Sequence, residues 1–388
     1  MRTRETRLVL VGSGHCHVEV LRRLALNPEP DVDVTLIAPA ALAAFSGMLP
    51  GLVAGHYSMA ETHIDLVALT QRARARFVRD TVNGLDLQTR TLALADGDTE
   101  PFDLLSLDLG SVPDPLLVPG AREHAIAVRP AAPFLTAWDR LRAEAAAGNA
   151  GTIAVVGGGA TGVELLLAMQ HRLQNELRDA APRLALITES PHLVPGQPPA
   201  VRARLGQLLV ARGVVLHQNS GAIAVEPGVV VTTHNRRIAV DRIFWATSAG
   251  AQAWPAAAGL ACDLRGFIQV DNTLRSTSHP FVFAAGDCAT QVAHPRPKSA
   301  AFAVRQGKPL AANLRRAVHH ESPQSWVPPR TVLSIIGTGG QHAIAARGPL
   351  VLEGTWVWRW KDRLDRSYMA RYAPRNGAAP LSVAPDEE

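Results

Sequence analysis

Apolar positions along the 388-residue chain fall into short runs of β-branched residues that stop at glycine and give way to a helical period. In the clearest case Ile153-Ala-Val-Val156 meets Gly157-Gly-Gly159, and a 3.6-residue pattern of Val163, Leu166, Leu167 and Gln170 starts at once. Gly157, Gly159 and Gly162 stand in the G-x-G-x-x-G spacing. That spacing turns a strand sharply into a helix, lets a pyrophosphate approach bare backbone, and packs helix against strand. The helix N-terminus adds free N–H groups and the positive end of its dipole. A second strand, Leu184-Ala-Leu-Ile-Thr188, ends on Glu189. A carboxylate there accepts from the two ribose hydroxyls of an adenosine and repels a 2′-phosphate, so a nicotinamide site preferring NADH is expected. The bland alternative is an ordinary strand–turn–helix.

The same pattern occurs near the start. Arg7–Val11 is an apolar strand, followed by Gly12-Ser-Gly-His-Cys-His17 and a helix over Val18–Leu26. His17 holds the third glycine position, so the helix is expected to stand slightly off its strand. The next strand, Val32–Ala38, ends on Pro39 with no acid for a ribose. Far downstream, Pro280-Phe-Val-Phe-Ala-Ala-Gly-Asp-Cys-Ala289 delivers Asp287 to a helix start, suited to the ribityl hydroxyls of a flavin. Phe102–Gly110 and Asp241–Gly250 are hydrophobic strands ending in small residues and glycine, placed to close each unit and return the chain to the other.

The expected fold is therefore α/β, with two Rossmann-like three-layer domains, one inserted in the other. Residues 1–125 and 250–321 form the outer domain, with the flavin-type motif, and 126–249 the inserted domain, with the nicotinamide-type motif. Residues 322–388 form a small α+β domain with a disordered tail after Pro374. An alanine-rich helix over Ala131–Ala147 turns Trp138 and Leu141 inward. Short strands are expected at Gly213–His217, Val229–Thr233, Thr331–Ile336, Gln341–Ala346 and Pro349–Glu353.

Composition narrows the class. With 47% hydrophobic and 19% charged residues the chain is an ordinary globular protein, and a net charge of +5 is too small to argue for nucleic acid. Met1–Arg7 is charged and Leu8–Val11 runs into a glycine turn, so no secretory signal is expected. No apolar run approaches the roughly 20 residues that span a bilayer. The expected location is cytoplasmic, at most peripheral on the inner face of the membrane. Cys16, Cys262 and Cys288 are far apart and include no C-x-x-C, which argues against a disulfide framework and a local redox dithiol.

On Gly12-Ser-Gly-His-Cys-His-Val-Glu19, Phe45-Ser-Gly-Met-Leu-Pro-Gly51, Gly157–Glu164, Ala285-Gly-Asp287 and Lys298-Ser-Ala-Ala-Phe-Ala-Val-Arg-Gln-Gly307, the chain resembles the pyridine nucleotide-disulfide oxidoreductases. Within them it is similar to type II NADH dehydrogenases. With the tail Trp356-Val-Trp-Arg-Trp-Lys-Asp-Arg-Leu-Asp-Arg366 it also resembles the flavoprotein domain fused to selenophosphate synthetase. The resemblance implies an NADH dehydrogenase that carries FAD and passes hydride from NADH to the flavin, then to a quinone or similar diffusible acceptor. FAD contacts would come from Gly12, Gly14, His15, Cys16, Ser46, Val82, Gly110, Gly286, Asp287 and Ala301. NAD contacts would come from Gly157, Gly159, Thr161, Gly162, Glu189 and Gly250. Glu164 falls where the family places a glutamate beside the flavin–nicotinamide interface, as a proton relay or a nicotinamide-positioning group; otherwise it is a first-turn acid on the helix dipole. Where quinone-reducing relatives carry Ala-Gln, this chain has Ala300-Ala301.

Three further features carry alternatives. Adjacent His15, Cys16 and His17 cannot easily converge on one metal ion, and no metal is expected. Cys16 and Cys288 each sit at a predicted helix start, where a thiol's pKa can fall; the alternatives are sulfur or selenium chemistry and small residues packed near phosphate. Lys298 is either a cation near the flavin N1 or a surface lysine. A slow-turnover redox sensor holding FAD and NADH is the non-enzyme alternative. In the tail over 356–372, Trp360, Leu364 and Tyr368 recur at i+4 with Arg359, Lys361, Arg363 and Arg366 mostly elsewhere. Such a helix suits a membrane surface, its own domain or a twin subunit in a homodimer.

Overall fold

A computed structural model describes residues 5–113, 118–149, 151–247 and 249–373; the tail expected to be disordered lies outside the described residues. Two five-stranded, all-parallel sheets organise the chain. The first runs Val282–Ala284, Leu104–Leu107, Thr6–Val11, Val32–Ile37, Arg76–Val78 in spatial order. The second runs Ile126–Ala127, Arg242–Trp245, Thr152–Val156, Arg183–Ile187, Val215–His217. In each, the strand before the glycine turn is central, with its sequence successor on one side and a late strand on the other. That is the point where strand order reverses and a crevice opens outside the carboxyl ends of the strands. Both central strands are buried on both faces, which is why they read as unbroken apolar runs rather than alternating ones.

Helix His15–Leu26 leaves the first glycine turn and helix Ala160–Leu177 leaves the second. Helix Ala300–Val318 packs beside helix 15–26, where Gly307 lets it approach Glu19 closely: a Cβ on Gly307 would lie 2.7 Å from that of Glu19. Helix Ala131–Ala146 buries Trp138 and Leu141 as expected. The chain crosses between sheets twice, and the two crossings zip together: Val112–Pro113 pairs antiparallel with Ala249–Gly250.

The C-terminal unit is an antiparallel sheet of Ser334–Gly337, Ala343–Arg347 and Leu350–Gly354, continued directly by helix Thr355–Ala370. The buried face of this helix differs from the expected one. Val357 and Tyr368 are buried, Trp360 is only partly covered, and Leu364 is 41% exposed. The apolar i+4 series missed the face because that face also carries an ion pair, Lys361 with Asp365 at 2.6 Å, both side chains largely buried. Among the described residues no helix is long and apolar enough to cross a membrane.

Candidate functional site

The first glycine turn is shaped by a residue that the sequence pattern did not single out, Asp108, just past strand Leu104–Leu107. Gly12 has φ +93°, and a Cβ there would lie 2.4 Å from the Asp108 carbonyl oxygen. A Cβ on Gly14 would lie 2.2 Å from Asp108 Oδ1. The other carboxylate oxygen accepts from the backbone N–H of Cys16 (2.8 Å) and of His17 (3.1 Å), the first turn of helix 15–26. Asp108 also abuts Gly286, where a Cβ would come within 2.3 Å of Oδ1. One buried carboxylate thus ties together the two turns predicted to handle flavin. The N–H groups of Ser13 and His15 have no acceptor among the described residues.

His17 explains how the motif works without its third glycine. Its ring is fully buried, with Nδ1 2.7 Å from the Gly12 carbonyl and Nε2 2.8 Å from Ser106 Oγ. Burial pulls its pKa down to about 4, against the Gly12 bond, so the ring is neutral at pH 7. A carbonyl only accepts, so Nδ1 donates to Gly12 and Nε2 accepts from Ser106. The ring fills the gap that a standing-off helix would leave.

Around Asp287 the structure adds further partners. Arg129 Nη1 donates to Ser111 Oγ (2.6 Å) and stands 3.4 Å from Asp287 Oδ2. Gln306 Oε1 accepts from the Gly286 N–H at 2.6 Å. Burial raises the Asp287 pKa, and the charges of Arg129 and Lys298 oppose it. His15 Nε2 meets Ser46 Oγ at 3.0 Å, and burial with the nearby Arg129 charge lowers its pKa to about 4. Gly110, φ +68°, has open space beside it, and Ala301 lies in the first turn of helix 300–318. Val82 opens the hairpin strand Val82–Asp86 and is buried in the core.

Lys298 is partly buried and bonded, not a bare surface lysine. Its ammonium donates to the Ala289 carbonyl and to Thr290 Oγ1 (3.0 Å) and stands 4.2 Å from the centre of the Phe267 ring. The thiol pKa values are raised, not lowered. Cys16 and Cys288 are buried, and each donates to a carbonyl at 3.1 Å, of Ala303 and Ala285 respectively. Burial pushes Cys16 well above the ordinary thiol range and Cys288 up to about 12. The helix start expected at Asp287 and Cys288 is absent: Gly286–Cys288 is a single 3-10 turn that runs into strand Ala289–Gln291.

The second glycine turn is open where the first is filled. Gly157, φ +129°, abuts the Ala246 carbonyl, which a Cβ would approach to 2.4 Å. A Cβ on Gly162 would meet the Gly157 carbonyl at 2.0 Å, so the third glycine sets close helix–strand packing. Nothing lies within 4 Å of the Cβ position of Gly159, so bare backbone is available to a phosphate there, with Thr161 in the first helical turn. Glu189 is exposed just beyond Thr188, beside Gly221, whose Cβ position is 3.2 Å from that of Glu189. Gly250 lies on the zipped crossing. Both turns can take a dinucleotide's phosphates on helix-start N–H groups that have no acceptor among the described residues, the first beside the Asp108 carboxylate and the second on open backbone at Gly159.

Glu164 ties the second half to the C-terminal unit, and Lys361 ties that unit to the first half. Its Oε1 accepts from the Gly337 N–H at 2.7 Å. Burial lifts its pKa to about 7, against the Lys361 charge and the Gly337 bond. Lys361 donates to the Gly47 carbonyl and to Asp365 Oδ2, both at 2.6 Å. Burial lowers the Lys361 pKa, but Glu164 and Asp365 outweigh it, and the net shift is upward. Lys361 therefore faces inward, which corrects its expected place on an outward basic face. Beside it, Phe45 stacks on Tyr368 with ring centres 4.5 Å apart. The Phe45-Ser46-Gly47 segment joins the first turn, through His15, to the C-terminal helix.

Comparison with known proteins bears on the family and the fold. An NADH dehydrogenase-like protein of Mycobacterium tuberculosis is 28% identical over 214 residues, 54% of this chain and 54% of its own. The chain thus spans about half the length of the curated relatives it matches. A type II NADH:quinone oxidoreductase of Staphylococcus aureus is 23% identical over 358 residues, covering 82% and 84% of the two chains. In fold, the sulfide:quinone oxidoreductase of Aquifex aeolicus superposes with a TM-score of 0.79 at 17% identity, covering 95% of this chain and 91% of that one. Residues 6–307, which hold both glycine turns and both parallel sheets, match the pyridine nucleotide-disulphide oxidoreductase family, and the chain belongs to it.

Proposed function

We propose that the protein is an FAD-dependent NADH oxidoreductase that delivers electrons from NADH to a quinone-like diffusible acceptor. The observation that carries this reading is the position of Glu164. It stands on the helix of the nicotinamide-side turn, is bonded to the C-terminal sheet, and lies in the electric field of Lys361, which is anchored on the flavin-side Gly47. Residues 1–125 and 250–321 hold FAD and 126–249 hold NAD(H). FAD, when bound, supplies the two-electron carrier that accepts hydride from NADH.

The chain's own residues do the rest. The N–H groups of Ser13 and His15 bind phosphate oxygens, and Asp287, steadied by Arg129, accepts from ribityl hydroxyls. The open backbone at Gly159 and the first turn of helix 160–177 bind the NADH pyrophosphate, and Glu189 its ribose. Glu164 holds a proton at its free carboxyl oxygen near neutral pH. One hydride and one proton complete reduction of a two-electron acceptor, and this carboxyl is a suitable donor of the proton. Lys361 stabilises the carboxylate that remains. Thiol-dependent chemistry is disfavoured, because Cys16 and Cys288 are buried as neutral thiols.

A lipid-soluble acceptor would be met at a membrane surface. Trp356 is 53% exposed and Leu364 41%, and Arg359 and Arg363 are exposed on the same helix. These four residues, without Lys361, are our candidate docking face. Steady-state NADH oxidation across soluble quinones, sulfur and selenium acceptors tests the function. Multiple turnovers with a quinone support it; a single stoichiometric bleaching with every acceptor supports a redox sensor instead.

A further inference from the structure

The two glycine turns differ in one respect that their sequences hide. Beside Gly159 the space is open, but beside Gly14 it is filled by the carboxylate of Asp108. In a Rossmann turn the second glycine is small so that a pyrophosphate can come up against the backbone. Here a carboxylate of this chain lies against that same glycine and already accepts from two of the helix N–H groups, those of Cys16 and His17. Ser13 and His15 are left for phosphate. The Asp108 carboxylate is therefore an internal anion at an anion site.

We propose that Asp108 stands in for part of the flavin pyrophosphate, so that FAD is held in competition with this carboxylate and binds with uptake of a proton there. The inference rests on the reading of the first turn as the FAD site. Ionised Asp108 and a dianionic pyrophosphate cannot share one helix terminus cheaply, whereas the neutral acid can. The surroundings supply little compensation. Helix 15–26 presents Cys16 and His17, both neutral; the turn after Ala285 presents Asp287 and Cys288; the C-terminal helix presents the Tyr368 phenol. The cations Arg129 and Lys298 act on Asp287. Burial lifts the Asp108 carboxyl to about 7, against the His17 and Cys16 N–H bonds and with the help of Asp287. A bound pyrophosphate raises it further. Below about pH 7 the proton is already in place and affinity is independent of pH. Above it each bound FAD takes one proton from solvent, and affinity falls.

The test follows FAD release from the purified holoenzyme on dilution, read by the fluorescence of free flavin at equilibrium between pH 6 and pH 9. The wild type is expected to show a flat affinity near pH 6 and a loss approaching tenfold per pH unit above about pH 7. Asp108→Asn removes the charge and keeps one oxygen to accept from both N–H groups, as Oδ2 does now; its profile should be flat, and at pH 8 it should hold FAD about tenfold tighter than the wild type. Should that variant not fold, calorimetry of wild-type FAD binding at pH 8 in two buffers of different ionisation enthalpy reports the proton directly, with about one expected per FAD. A wild-type profile flat from pH 6 to pH 9, a slope retained in Asp108→Asn, or no proton taken up at pH 8 overturns the proposal while leaving the flavin site intact. A protein that holds no FAD at any pH overturns the flavin reading as well.

Discussion

Glu164 and Glu189 show how far single side chains determine the chemistry. With its carboxyl lifted to about 7 by burial, Glu164 carries a proton below that pH and loses it above. If it donates to the acceptor, the electron-exit step should slow as pH rises through about 7. Glu164→Gln should lack that inflection and turn over some 10²-fold more slowly, as general acid catalysis of this kind contributes. A Gln variant with the wild-type pH profile in stopped-flow reoxidation would assign the residue to packing alone. At Glu189, replacement by glutamine should narrow the preference for NADH over NADPH by relieving repulsion of the 2′-phosphate, measured as a ratio of kcat/KM values. A wild type that prefers NADPH would show that the carboxylate does not meet the ribose. Glu189 was visible in the sequence because it ends the strand that follows the second glycine turn, and Glu164 because the family resemblance points to it. Asp108 and Arg129 were not, since each acts on a turn distant in sequence, and no local pattern marks an acid past strand Leu104–Leu107 or a basic residue just after strand Ile126–Ala127.

The glycine turns, their strands and their helices follow from short-range pattern, and their order in each sheet follows from the right-handed parallel crossover. The C-terminal helix Thr355–Ala370 is the element where pattern misled. Counting tryptophans and arginines gave an outward basic face that included Lys361, but the fold brings that lysine to Gly47 and Asp365. An ion pair on a buried face is invisible to an apolar period. Lys361→Ala would leave Asp365 unpaired in a largely enclosed position and should cost about 3–5 kcal/mol in chemical denaturation. Lys361→Met with Asp365→Leu should recover most of it, because a paired apolar replacement removes both charges. Equal destabilisation of the single and double variants would mean that packing, not charge, is lost.

For the whole molecule, Phe45-Ser46-Gly47 is where the C-terminal helix meets the first glycine turn: Phe45 stacks on Tyr368, Ser46 bonds His15 and Gly47 accepts from Lys361. This gives the outer face of that helix a separate role. Binding to anionic vesicles should be salt-sensitive and should weaken when Arg359 and Arg363 are neutralised, each worth about 1 kcal/mol near the surface. Flavin reduction by NADH in solution should be unchanged in the same variant. Sedimentation with vesicles at several salt concentrations measures it, and binding indifferent to both arginines would remove this helix from the membrane.

The most direct measurement is an anaerobic titration of the purified protein with NADH, followed by flavin absorbance. An FAD-dependent NADH oxidoreductase should show an oxidised flavin spectrum that bleaches fully with one NADH per FAD, and recover it when a quinone is added. Protein without flavin, or a bound flavin that NADH leaves oxidised, would contradict the proposed function.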